Sequence, residues 1–386
     1  MMIPYGKQDI SAEDIAAVSE VLRSDFLTQG PVVPRFEEAV AEAVKAKYGV
    51  AVNSATSALH IACLALGVGP GDRVWTSPVT FVASANCALY CGADISFVDI
   101  DADTYNLCPK ALEQKLIVAN DEGTLPKVII PVHLAGQSCD MEAIAALARQ
   151  YDIRVIEDAS HAIGADYAGD AVGSCRFSDI TVFSFHPVKI VTTAEGGVAV
   201  TNNLQLAERM QRLRSHGITR DPELMTKAPD GAWYYQQIEL GFNYRMTEMQ
   251  AALGLSQMQR LSLFVERRRG LAKRYNELLS DLPVTLPQQL ADSASSWHLY
   301  IVRFHLEKIE KTHSQIFDEC RAAGIGVNLH YIPVHLQPYY SDLGFKQGDY
   351  PAAEAYYANA ISIPLFHSMT DAQQDEVVRV VKEIVL

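Results

Sequence analysis

The chain has 386 residues, 49% hydrophobic and 20% charged, an ordinary balance for a globular enzyme and more chain than one small core needs. With 46 acidic against 32 basic residues, the net charge of −14 excludes the broad basic face that nucleic-acid binding requires. It still admits an anionic small molecule, because a helix N-terminus can hold a phosphate without a basic face.

The N-terminus, MMIPYGKQDISAED, has no basic start and no apolar run, so it does not read as a secretory signal. No stretch approaches the roughly 20 apolar residues of a membrane span. Seven cysteines, at 63, 87, 91, 108, 139, 175 and 320, form no CxxC pair, and their number is odd. Buried reduced thiols in a cytoplasmic protein are expected.

Residues 11–23 predict a helix, with Ser11 and Asp14 spaced close to a capping box. Residues 24–34 read as a Gly/Pro-marked loop, and helical spacing resumes over 35–47. An alternating series follows. Strands are predicted at 49–53, 73–78, 95–101, 127–133, 154–159, 179–185 and 196–201, with helices at 54–66, 81–92 and 141–151. Strands alternating with helices indicate an α/β domain built on a mostly parallel sheet. Residues 246–280 are helix-rich and link this unit to a second, smaller one. Their ERRR run (266–269) reads as a solvated helix face. Beyond 281 the pattern predicts a strand at 297–304, a helix at 313–324, a strand at 325–333 and a last helix near 370–385.

Four features carry chemistry. Lys189 lies in FSFHPVKIVTTAEGG (183–197), after an apolar strand and before a Gly-Gly turn. A lysine partly enclosed there loses basicity and becomes a nucleophile; the alternative is a surface loop lysine. Asp158 ends the strand RVIED, where an open α/β sheet places its ligands. A carboxylate there can keep a pyridine nitrogen protonated, or it can simply cap the next segment. In NSATSALH (53–60) a strand passes directly into a helix through small hydroxyl residues. The N–H groups of Ala55, Thr56 and Ser57 would face an anion there; ordinary capping is the alternative. Phe81 follows TSPVT and could cover a flat ring, or could be core.

Together these features supply a nucleophile, a ring-nitrogen partner, a phosphate cradle and a ring cover. Nearly the whole chain resembles the sugar aminotransferase family that includes DegT and the amino-sugar enzymes of lipopolysaccharide and antibiotic pathways. The matching stretches are LTQGP (27–31), NSATSALH, SPVTFVASANCALYCGA (77–93), FVDID (97–101), VIEDASHAIGA (155–165), FSFHPVK, TTAEGG (192–197), RSHGI (214–218), GFNYRMTEMQAALGLSQ (241–257) and HYIPVHLQPYY (330–340). The resemblance implies a fold-type I pyridoxal-phosphate-dependent transferase. Its large α/β domain has a mostly parallel sheet, and a smaller C-terminal α+β domain follows. The expected division is an N-terminal segment with a substrate loop (1–34), the large domain (35–250), and a linking helix with the small domain (251–386).

The same resemblance implies that Lys189 is the Schiff-base lysine and Asp158 the partner of the ring nitrogen. It places His161 and Phe81 at the ring, Ala55, Thr56 and Ser184 on the phosphate, and Asn243 on the phosphate of the partner subunit in a homodimer with shared sites. Tyr5, Phe26, Leu27, Thr28, His330, Tyr331, Ile332 and Pro333 fall at positions that line the sugar-nucleotide pocket. Family members vary at position 332. The implied substrates are L-glutamate and a UDP-linked 4-keto sugar, and no metal is implied. Three other readings fit less well. GVGPG (67–71) follows a helix, not the strand a dinucleotide site needs. The family's dehydratases replace the lysine with histidine. A non-catalytic regulator would not need the full cofactor set.

Overall fold

A computed structural model describes residues 2–386. Its main sheet has seven strands: β1 (Tyr48–Val52), β2 (Arg73–Thr76), β3 (Asp94–Phe97), β4 (Val128–Ile130), β5 (Arg154–Asp158), β6 (Ile180–Ser184) and β7 (Gly197–Thr201). In space the order is β1-β7-β6-β5-β4-β2-β3. From β6 to β3 every pairing is parallel. Strand β7 is antiparallel to both its neighbours. Six strands therefore point the same way, and their C-terminal ends share one edge of the sheet.

Side chains alternate across the sheet. On β6, Ile180 and Val182 enter one core and Phe183 the other. The first core receives α3 (Ala55–Ala65), α4 (Ala83–Tyr90) and α7 (Leu204–Leu213) through Leu59, Cys87 and Met210. The second receives α2 (Val32–Val44), α5 (Pro109–Glu122) and α6 (Met141–Gln150) through Phe36, Leu116 and Ile144. A sheet covered on both faces needs apolar residues at successive positions, which is why β6 is buried throughout. Helices α5 and α7 lie outside the helices expected from the sequence. The expected helix at the N-terminus is α1 (Ala12–Leu22), with Ser11 and Asp14 forming the capping box.

Asp14 also does more than cap. Its carboxylate accepts from Ser256 Oγ, Gln257 Nε2 and Arg260 Nη2, each at 2.6 Å, and so fastens α1 to α8 (Glu248–Met258) and the start of α9 (Leu261–Leu278). Burial alone would raise its pKa, but these donors and the Ser11 amide outweigh burial and lower it. Glu248, fully buried, accepts from the backbone N–H groups of Gly30, Val32 and Val33 at 3.1, 2.6 and 3.3 Å. The 24–31 loop is thereby fixed to the start of α8, where Glu248 N donates to Leu27 O.

A third core joins α9, α10 (His313–Ala322), the last helix Asp371–Val385 and a three-stranded antiparallel sheet of Val284–Thr285, Tyr300–Phe304 and Ala360–Ile363. Two expectations are corrected here. Residues 325–333 are not a strand; they make single bridges, Ile3 with Ile325 and Asn328 with Ser362. Asn328, Leu329, His330 and Tyr331 all face one cavity, which the two-sided alternation of a strand forbids. The ERRR run is a solvated face only in part: Glu266 is exposed, and Arg267 and Arg269 are half-buried. Arg268 is 2% exposed, and its Nη1 donates to the carbonyls of Trp297, His298 and Leu365 at 3.0–3.2 Å. Arg269 donates to Ser295 and Ala294, and Arg267 to Met369. The run holds the 294–298 and 365–369 segments against α9. All seven cysteines are free thiols; Cys108 and Cys175 are partly exposed and the other five are buried.

Arg268→Met should therefore lower unfolding stability by about 2–4 kcal/mol, because it strands three buried carbonyls. A denaturant midpoint within error of the native protein would show that these carbonyls find other partners.

Candidate active site

The shared C-terminal edge opens into a cavity of about 580 Å³. Its walls include Tyr5, Ala55, Thr56, Phe81, Asp158, His161, Ser184, Lys189, His330 and Tyr331. Six strands pointing one way bring these together: β1 leads into the N-terminus of α3, β2 into the Phe81 loop, β5 ends at Asp158, and β6 ends at Ser184 before the Lys189 loop.

At the α3 N-terminus, Ser54 caps the helix and its hydroxyl takes the Ser57 N–H at 3.1 Å. This corrects the expectation for Ser57, whose amide is committed to the cap. Ala55 and Thr56 are the first two helical residues, whose N–H groups have no intrahelical acceptor. They face the cavity beside Ser184. Gly197, opening β7, explains the Gly-Gly turn: a Cβ there would lie 2.5 Å from Ala55 N and 2.6 Å from Ala55 Cα. Only glycine lets β7 pass this close behind the cradle.

Asp158 is buried and well supplied with donors. Its Oδ2 accepts from Ser84 Oγ at 2.6 Å, and its Oδ1 from Ser160 N at 3.1 Å and Ser160 Oγ at 2.5 Å. Thr80 stands behind Ser84 at 2.7 Å; since the Ser84 proton goes to Asp158, the Thr80 hydroxyl donates to Ser84. The capping alternative for Asp158 is also satisfied in part, because the Ser160 amide is one of its donors. Sequence reasoning missed Ser84, Ser160 and Thr80. The one available signal was their position, three residues after Phe81, two after Asp158 and one before Phe81.

Lys189 lies opposite in chemical terms. Burial lowers its pKa to about 8, and the nearby Asp158 charge only partly offsets this. Lys115 is lowered to about 8 by burial as well, so basicity alone does not single out a nucleophile. Lys115 lies in a second cavity of about 520 Å³, lined by Arg73, Trp75 and Asp94 at the other end of the strands. Its Nζ is engaged by Ser96 Oγ at 2.6 Å and Phe97 O at 2.5 Å, above the Trp75 ring. No side-chain hydrogen bond figures at Lys189 among the described residues.

The aromatic residues flank the opening. Phe81 is 58% exposed at the cavity mouth and 6.1 Å from the Tyr331 ring. His161 is buried, with Nδ1 accepting from Ala135 N at 3.2 Å and Nε2 3.2 Å from Tyr331 Oη. Burial, followed by the charges of Lys189 and His330, drives its pKa well down. Burial and Lys189 lower His330 to about 3.

The remaining expected residues lie elsewhere in the single chain. Phe26 and Leu27 are exposed on the clamped 24–31 loop, and Thr28 bridges Thr247. Ile332 is exposed and Pro333 buried, both beyond the cavity lining. Asn243 is exposed, bridges Ser215, and does not line the cavity of its own chain.

These residues fit pyridoxal 5′-phosphate. Helix N–H groups and Ser184 suit its phosphate, and the space that a Cβ at Gly197 would close is kept free. The hydrogen-bonded Asp158 suits a protonated pyridine nitrogen, and Lys189 suits an aldehyde. The neutral amine is the nucleophile. Capture of pyridoxal phosphate by the cofactor-free protein should therefore accelerate as pH rises, with a midpoint near the value of about 8 for Lys189. Asp158→Asn removes the charge that opposes the shift and should move the midpoint lower still. Stopped-flow absorbance against pH reads both, and a midpoint of roughly 10, the ordinary lysine value, would show an amine that is not desolvated. Gly197→Ala should weaken cofactor binding by tenfold or more, on the order of 1.4 kcal/mol, in a titration of the same protein.

The chain matches the DegT/DnrJ/EryC1/StrS aminotransferase family over residues 8–382. It is 39% identical to the spore coat polysaccharide biosynthesis protein SpsC of Bacillus subtilis, over 99% of this chain and 97% of that protein. Among solved structures, PseC of Helicobacter pylori, an aminotransferase involved in the biosynthesis of pseudoaminic acid, is similar with a TM-score of 0.91. The two are 31% identical, and the match covers 100% of this chain and 99% of PseC. Spr1654 of Streptococcus pneumoniae, solved in its PMP form, is similar with a TM-score of 0.90 at 32% identity, covering 99% of this chain and 98% of that one. With a match this long and a cavity that meets the cofactor's needs, the chain belongs to the DegT/DnrJ/EryC1/StrS aminotransferase family.

Proposed function

We propose that this pyridoxal-phosphate-dependent sugar aminotransferase moves an amino group from L-glutamate to C4 of a UDP-linked 4-keto-6-deoxy-N-acetyl sugar. The product would be UDP-4-amino-4,6-dideoxy-N-acetyl-β-L-altrosamine, for pseudaminic acid synthesis. The observation that carries the reaction class is the meeting of Lys189, Asp158 and the α3 cradle in one cavity. The likeness to PseC and the spelling of NSATSALH, CALYCGA, FSFHPVK and TTAEGG support the substrate. A second reading, an amino sugar for another surface polysaccharide made from a different 4-keto or 3-keto nucleotide sugar, is favoured by the likeness to SpsC.

When bound, the cofactor supplies an aldehyde to carry the amino group and a ring that withdraws electrons. The chain's residues do the rest. Lys189 holds the cofactor between turnovers, then, free and neutral, carries a proton to sugar C4. Asp158, held in place by its donors, keeps the pyridine nitrogen protonated. The Ala55 and Thr56 amides and Ser184 hold the phosphate, and Phe81 and His161 enclose the ring. Tyr5, Phe26, Leu27, Thr28 and the 330–333 segment present the ketone, and the face they present sets the configuration at C4. Asn243 reaches the phosphate of the partner subunit, so the working unit is a homodimer. The division at residues 34 and 250 belongs to the same reading, with the 1–34 segment serving the substrate. We also assign the protein to the cytoplasm, where nucleotide sugars are made; no helix among the described residues is long and apolar enough to cross a membrane.

Borohydride should fix the cofactor to a peptide containing Lys189, and Lys189→Ala should lose turnover by several orders of magnitude, beyond the about 10²–10⁴-fold of a lost proton carrier alone. Attachment at Lys115 would move the site to the other cavity. L-glutamate alone should bleach the yellow enzyme, and a panel of 4-keto nucleotide sugars should then restore the colour. Bleaching without transfer to any of them would end the amino-sugar assignment, whereas transfer only to a 3-keto sugar would favour the second reading.

A further inference from the structure

The polarity of one hydrogen-bond chain can be worked out from a backbone amide. Ala135 N–H can only donate, and it donates to His161 Nδ1 at 3.2 Å. That nitrogen therefore carries a lone pair. His161 is enclosed by protein and kept neutral by burial and by the charge of Lys189. A neutral imidazole has one N–H, so the proton sits on Nε2. Nε2 lies 3.2 Å from Tyr331 Oη and donates to it. Tyr331 Oη accepts, and its own proton is left to point elsewhere. Burial, and then the Asp158 charge, hold the phenol protonated. Among the described residues, His161 is the single side-chain partner of this hydroxyl. Tyr331 lines the cavity together with Lys189, so its free O–H belongs to a group that enters there.

We infer that Tyr331 is the proton donor to the carbonyl oxygen exchanged in each half-reaction, and that His161 is a positioning residue that orients it. This rests on the sugar-ketone reading above for the second half-reaction only. Replacing a ketone oxygen by nitrogen expels water, and that oxygen must gain two protons. As the amine lone pair forms the C–N bond, the carbonyl π pair moves to oxygen, which takes the proton of Tyr331 Oη. The phenolate is stabilised by the N–H of His161. The nitrogen then gives one proton back to Tyr331 and a second to the departing oxygen by the same hydroxyl. The C–O bond breaks as the C=N bond forms, and water leaves. Two protons pass from nitrogen to oxygen, and Tyr331 ends as it began. With L-glutamate the same steps run in reverse, water entering as the 2-oxo acid is released.

Two measurements test this. Imidazole ¹⁵N–¹H correlation spectra of the cofactor-free protein, assigned through His161→Gln, should show His161 neutral and protonated at Nε2 at neutral pH. A charged ring or a proton on Nδ1 overturns the inference, whatever the substrate is. Tyr331→Phe keeps the ring beside Phe81 and His161 and removes only the hydroxyl. It should bind pyridoxal phosphate within about twofold of the native protein, yet release 2-oxoglutarate from L-glutamate about 10²–10³-fold more slowly in a single turnover. A rate within about threefold of native, or a loss that merely follows lost cofactor affinity, overturns the role. Neither measurement uses a sugar, so failure of the proposed sugar substrate leaves both outcomes readable.

Discussion

In the proposed site an amine is needed neutral beside a carboxylate that pairs with a ring nitrogen, and the cavity they share surrounds the two differently. Asp158 receives three hydrogen bonds, from Ser84 and twice from Ser160. These hold both carboxylate oxygens in place. Lys189 receives no comparable support, and burial lowers it to about 8. Had the two met directly, each would have held the other charged, and the amine would have lost its nucleophilicity. The fold separates their roles by assigning the donors to one side.

That assignment follows from the sheet. Successive residues of β5 point to opposite faces, so Glu157 meets His133 in one layer at 2.8 Å while Asp158 faces α4 in the other. Ser84, in the first turn of α4, thereby reaches the carboxylate. On the same face, α3 starts where β1 ends, and the glycine at the head of β7 lets it pass behind the cradle. The reversed direction of β7 has a consequence as well. The chain between β6 and β7 must turn back at the edge where the cavity opens, and Lys189 lies in that turn.

The C-terminal part contributes the wall facing the sheet. Tyr331 and His330 come from a segment that is irregular because consecutive side chains face one way, and His298 from the irregular stretch before the strand Tyr300–Phe304. Irregular backbone needs outside support, and Arg268 provides some of it by donating to the His298 carbonyl from within α9. Tyr356 Oη supports the His330 carbonyl at 2.5 Å. The cost is a buried guanidinium whose Nε has no partner among the described residues, and whose pKa burial lowers to about 10.

Local signals in the chain determined a good deal: the alternation of strand and helix, the Ser54 turn into α3, and the presence of Lys189 and Asp158 at strand ends. Each depends on residues within a few positions of one another, where hydrophobic period and turn chemistry act directly. The resemblance supplied the cofactor and the expected partners of Asn243. What the tertiary structure alone decided involves residues far apart in the chain. Ser84 lies 74 positions from Asp158. Arg268 looked like part of a charged surface because its acceptors are backbone carbonyls, which have no residue signature. The 325–333 segment has the β-branched and apolar content of a strand, but its neighbours offer only single bridges. The proton inferred on His161 is the extreme case: its place rests on the direction of one amide, from a 3-10 turn 26 residues earlier, and no side chain in the sequence records that direction.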